Sequence, residues 1–185
     1  MKTTRRDWFS TCLAMAAWPE VLSALEHAHT AAESRTPQWE SLDPGTGAEI
    51  GALAAQIIPS SAGPGAREAG VIYFIDRALA TFASDQREAY RSGLAQLQQK
   101  RLELFPNSTS IASLTGEQQM ALIRTIEASD FFDLLRTHTV LGFLGSPSYG
   151  GNRGKTGWKQ IGFEDLMAWQ APFGYYDAQE NGGKD

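Results

Sequence analysis

The residues best suited to chemistry or recognition lie near the end of the chain. Over 142–162 there are seven glycines: Gly142, Gly145, Gly150, Gly151, Gly154, Gly157 and Gly162. Between Gly145 and Gly162 stand two large aromatics, Tyr149 and Trp158, and three cations, Arg153, Lys155 and Lys159. No acid occurs over 134–163. Glycine at this density interrupts helices and lets the backbone approach another surface closely. Three uses fit such a loop. Gly154-Lys155-Thr156 resembles the end of a phosphate cradle, but that motif needs a glycine five residues before Gly154. The residue there is Tyr149, and no buried strand precedes it. A cap over this protein's own helices is the second use. The third is a docking loop, because aromatics and arginine held in an ordered loop are typical interface anchors. The docking reading leads here, and the cap stays open beside it.

Other chemistry-bearing residues form no catalytic set. His27 and His29 make an H-x-H pair near the N-terminus, inside a stretch that reads as a leader. His138 lies on an apolar helical stripe, as a hydrogen-bonded core or interface histidine does. Glu68 and Asp76 are about two helical turns apart, a spacing expected of a solvated face rather than a carboxylate pair. The chain has no G-x-S-x-G, H-E-x-x-H or C-x-x-C-H sequence. Cys12 is the one cysteine, which excludes an intramolecular disulfide and a thiolate metal cage supplied by this chain alone. Acids outnumber bases 21 to 16, for a net charge of −5, so the clustered positive surface that nucleic acid requires is missing.

The N-terminus reads as an address. Arg5 and Arg6 are followed, after Asp7, by Trp8 and Phe9 and a short apolar run ending at Pro19. The pattern resembles a twin-arginine (Tat) export signal, which a receptor reads. The run is too short to cross a bilayer. Tat export carries folded proteins, often cofactor-loaded enzymes and the partners that travel with them. A small domain bearing such a signal and no cofactor motif of its own is expected to be a travelling companion.

The elements that must position the loop are helical. The expected division is a leader over 1–35, a linker over 36–47, a helical domain over 48–175 and a polar tail over 176–185. Ala48, Ile50, Leu53, Ala54, Ile57 and Ile58 recur at helical spacing until Pro59. Val71, Ile72, Ile75, Ala78, Leu79 and Phe82 make a second stripe, with Asp76 and Arg77 on other faces. A third helix is expected over 85–104 with Tyr90, Leu94, Leu97 and Leu104 inward. Thr115 and Gln118 match a capping box ahead of Leu122, Ile123 and Ile126. Asp130 is expected to cap a fifth helix carrying Phe131, Leu134, Leu135, His138, Leu141 and Leu144. No run alternates long enough for a strand. The expected fold class is all-α: five helices in one compact domain and a long glycine-rich loop.

Two segments resemble a known family. One is Ile57-Ile58-Pro59, then Gly63-Pro64-Gly65-Ala66-Arg67-Glu68-Ala69-Gly70-Val71, then Phe74-Ile75-Asp76-Arg77. The other runs from Phe131-Phe132-Asp133 through Ser146-Pro147, Tyr149-Gly150-Gly151-Asn152-Arg153 and Gly157-Trp158-Lys159 to Ile161-Gly162-Phe163. Together they are similar to the gluconate 2-dehydrogenase subunit 3 family over 48–163. The resemblance implies a small subunit that holds no cofactor. A large subunit carries FAD and oxidises a sugar, sugar acid or related alcohol, and a multihaem cytochrome c subunit often passes the electrons on. It also implies that the small subunit supplies the Tat signal and assists maturation and export, which makes the complex periplasmic. The residues expected to touch the large subunit are Tyr149, Asn152, Arg153, Trp158 and Lys159. The other function considered is a stand-alone periplasmic binding or structural protein without catalytic activity.

Overall fold

The computed structural model describes residues 38–61 and 63–165. Arg5, Arg6, Trp8, Phe9, Cys12, His27 and His29 lie outside the described residues, as does the tail. Among the described residues there are six α-helices, three short 3-10 turns and no strand. The fold is all-α. No helix among them is long and apolar enough to cross a membrane.

The first helix, α1 (Pro44–Ile57), begins inside the stretch read as linker. The reason is a strong cap. The Asp43 carboxylate accepts from the Gly45 and Thr46 amides at 2.9 and 3.0 Å, and Pro44 supplies a preset φ at the first helical position. The helix stops at Ile57, two residues before Pro59. Ile50, Leu53 and Ala54 face inward, as their spacing predicts.

α2 (Val71–Ala80) occupies the middle of the domain and packs on both α1 and α5 (Asp130–Leu144). Its buried face is Val71, Phe74, Ile75, Ala78 and Leu79. Phe82 departs from the expected stripe and is 63% exposed. The chain leaves helical geometry at Thr81 (φ −122°, ψ −104°), so the period that placed Phe82 inward no longer applies. Asp76 also departs from its expected solvated position and is buried.

A 3-10 turn, Ser84–Gln86, leads into α3 (Arg87–Leu104). Tyr90, Leu94 and Leu97 are buried, but Leu104 is 48% exposed. The last turn instead buries Arg101, one turn after Leu97. Its guanidinium donates to the Ser108 carbonyl, to Ser108 Oγ at 2.8 Å and to Gln98 Oε1 at 2.6 Å, which ties down the turn that follows.

α4 (Gly116–Arg124) starts with the expected capping box: the Gln118 amide donates to Thr115 Oγ1, and the Thr115 amide to Gln118 Oε1. Gln119 is buried, its amide group donating to the carbonyls of Ile111 and Leu114 and accepting from Gln56 of α1. α5 is capped by Ser129, not Asp130; Ser129 Oγ accepts from the Phe132 amide at 3.2 Å. Asp130 sits in the first turn, where a negative charge still favours the helix dipole. Leu135, His138, Thr139 and Phe143 are buried, whereas Leu141 is 47% exposed. Gly93 admits the Phe131 ring between α3 and α5, for a Cβ there would lie 2.2 Å from it.

Candidate functional site

The glycine-rich stretch is ordered by two 3-10 turns, Pro147–Tyr149 and Arg153–Lys155, and by a sixth helix, α6 (Thr156–Gln160). Asn152 organises it. This residue is fully buried and adopts a left-handed backbone (φ +46°), a conformation asparagine tolerates better than most residues. Its Nδ2 donates to the Gly145 carbonyl at 2.9 Å, and its Oδ1 accepts from the Gly157 amide at 2.8 Å. One side chain thereby joins the end of α5 to the start of α6.

Two glycines make this closeness possible. A Cβ on Gly157 would lie 1.9 Å from the Phe143 carbonyl oxygen, and one on Gly151 would lie 2.2 Å from that of Gly142. Both obstacles are backbone atoms, so neither position accepts a side chain without moving a helix. The glycines expected to permit close approach to an outside surface are therefore used, at these two positions, against the protein's own helices.

The five residues expected to meet a partner occupy distinct environments. Asn152 is the buried pin. Arg153 lies with its guanidinium 4.1 Å from the centroid of the Tyr73 ring on α2, and its amide donates to the Ala69 carbonyl at 3.0 Å. Trp158 is half-buried: its indole N–H donates to the Leu144 carbonyl at 2.6 Å, and its ring meets Phe163 edge to face at 5.2 Å. Tyr149 is 54% exposed and Lys159 is exposed. Lys155 pairs with Asp165 at 3.0 Å. Two of the three loop cations thus have partners within the chain, although no acid lies in the loop itself.

Tyr149 faces a shallow cleft that it shares with Ser148, Arg77, Thr81 and Phe82. Phe82 is the residue that broke the stripe of α2. The loop and the end of α2 thus present two exposed aromatics across one cleft, with Arg77 between them donating to the Ser148 carbonyl at 2.9 Å. Phe82 was missed as a surface residue because its spacing matched the core.

The burial of Asp76 was also missed. Asp76 accepts three main-chain hydrogen bonds, from the amides of Glu40 (2.7 Å), Ser41 (2.9 Å) and Leu42 (2.7 Å). A signal for this existed: Asp76 lies one turn after Ile72 and one turn before Leu79 and Ala80, at the edge of the apolar stripe. An acid there needs an internal partner. His138 is held as its apolar stripe suggests. Its Nδ1 shares a 3.0 Å hydrogen bond with the Tyr90 hydroxyl, and the two rings stack at 5.7 Å. Burial lowers the imidazole pKa and raises that of the phenol, so both are neutral near pH 7. Among the described residues no group of three or more His, Cys, Asp or Glu is placed to hold a metal ion.

Similarity to known proteins coincides with this architecture. No curated protein and no solved structure matches the chain. The family model described as gluconate 2-dehydrogenase subunit 3 matches residues 46–165, which include all but the first two residues of α1, the Asp76 helix and the whole loop built around Asn152. The chain belongs to the gluconate 2-dehydrogenase subunit 3 family.

Proposed function

We propose that this protein is the non-catalytic small subunit of a periplasmic dehydrogenase complex, and that it accompanies a large FAD-containing subunit through maturation and Tat export. The large subunit oxidises a sugar, sugar acid or related alcohol, and FAD and haem c belong to partner subunits. The family match supports a place in such a complex. The observation that carries the docking role is the pair of exposed aromatics, Tyr149 and Phe82, on a loop and helix end pinned from beneath. Aromatics already fixed in position lose little conformational freedom on binding, which suits them to anchor a partner.

The test uses the tagged small subunit produced together with a large FAD-containing dehydrogenase subunit encoded beside it. The expected result is capture of that subunit, recognised by its flavin fluorescence. Tyr149→Ala with Phe82→Ser should leave the melting temperature of the isolated small subunit nearly unchanged. It should weaken capture by about 2 kcal/mol or more, roughly thirtyfold. Capture at full strength by the double variant excludes this docking surface. A wild-type small subunit that captures no flavoprotein favours the stand-alone reading instead.

A further inference from the structure

Two segments about 110 residues apart in sequence rest on the same turn of α2. Tyr73, Asp76 and Arg77 stand at i, i+3 and i+4, so they are neighbours on one helix surface. The strap 39–43, which joins the leader to α1, is held by all three. Trp39 lies 5.5 Å from the Tyr73 ring, centroid to centroid, and covers Gly47 so closely that a Cβ there would lie 2.1 Å from the indole. The Asp76 carboxylate takes the three successive amides of Glu40, Ser41 and Leu42. Arg77 Nε stands 3.5 Å from a Glu40 carboxylate oxygen.

The loop is held by two of the same three residues. Arg153 covers the Tyr73 ring, and Arg77 Nη1 donates to the Ser148 carbonyl. Tyr73 therefore contacts the strap and the loop at once. So does Arg77.

We propose that the strap and the loop are seated cooperatively on α2, so that a partner gripping the loop also tightens the strap from which the leader emerges. The partner named here is that of the preceding section. The coupling is a property of the small subunit alone and is tested without it. Physically, freeing the strap removes the Glu40 carboxylate beside Arg77 and the Trp39 ring beside Tyr73. The side chains that hold the loop are then free to reorient. Coupling between sites is reciprocal, so loosening the loop must loosen the strap by the same factor.

The experiment is amide hydrogen exchange on the full chain, read at the strap amides of Glu40, Ser41 and Leu42 and at the loop amides of Arg153 and Gly157. The α4 amide of Gln119 is the reference. Asp76→Asn keeps the side-chain shape but turns one accepting oxygen into a donor that faces amide donors. It should speed exchange of the strap by about tenfold or more, with the loop amides following and the α4 amide unchanged. Arg77→Ala changes a half-exposed side chain and should speed both segments with the fold retained. Asn152→Ala, made in the loop, should speed exchange at the strap. Acceleration confined to the mutated segment in Arg77→Ala and Asn152→Ala overturns the proposal. An equal rise at the α4 amide also overturns it, because the link would then be no more than global loosening. If Asp76→Asn does not fold, Arg77→Ala and Asn152→Ala decide. Capture of a flavoprotein plays no part in these readings, so failure here is distinct from failure of the docking function.

Discussion

Asn152 shows how one residue can determine the shape of a surface it never reaches. Its amide group supplies a donor to Gly145 and an acceptor to Gly157, and no other side chain on the loop has both faces buried in this way. Replacement by alanine leaves the half-buried Gly145 carbonyl and the buried Gly157 amide without this partner and places a Cβ-only residue in the left-handed region. Each orphaned group costs about 1–3 kcal/mol, so Asn152→Ala should destabilise the domain by about 3 kcal/mol. Urea unfolding checks this through a lower midpoint at an unchanged slope. A variant within about 0.5 kcal/mol of wild type removes Asn152 from its pinning role. The sequence marked Asn152 only through the family motif. Its burial depends on the carbonyl of Gly145 and the amide of Gly157, both of which are placed by the fold.

At the scale of elements, the seam between α3 and α5 is the most demanding contact. Tyr90 stacks on His138, Phe131 meets Tyr90 edge to face at 5.6 Å, and Gly93 makes room for Phe131. The neutral imidazole at its centre gives the seam a pH dependence. Burial lowers the His138 pKa below the ordinary value of 6.5, so the unfolded chain binds a proton more readily than the folded one. The stability that depends on neutral His138 is complete above 6.5 and is lost as pH falls through the folded pKa. The melting temperature should therefore drop as pH falls below 6.5, and His138→Gln should flatten that part of the profile. An identical slope in the variant rules His138 out as the source. Helical periodicity was a reliable guide to this seam for Tyr90, Leu94, Leu97, Leu135 and His138. It failed for Leu104 and Leu141, because a period says which residues share a face but not where a neighbouring helix stops covering it.

For the whole molecule, the strap and the loop converge on α2. Under the proposed Tat route, the segment that follows the arginine pair and its apolar run in sequence is seated by residues of the folded domain. Arg5→Lys together with Arg6→Lys should keep the protein in the cytoplasm, because the receptor reads the arginine pair. Cell fractionation measures this, and an unchanged periplasmic yield rules out the Tat route.

The sequence by itself determined the helical class, most of the core faces of α1 and α3, the capping box of α4 and the family to which the chain belongs. These depend on period, on local caps and on motifs, all of which are properties of neighbouring residues. The tertiary structure alone decided which polar residues are buried and which apolar ones are not. Asp76 is inside because the amides of Glu40, Ser41 and Leu42 arrive there to meet it. Arg153 has a place because Tyr73 lies beneath it, and Phe82 is outside because its helix ends two residues before it. A buried polar group is tolerated only where partners from distant segments converge, and that convergence cannot be read from local spacing.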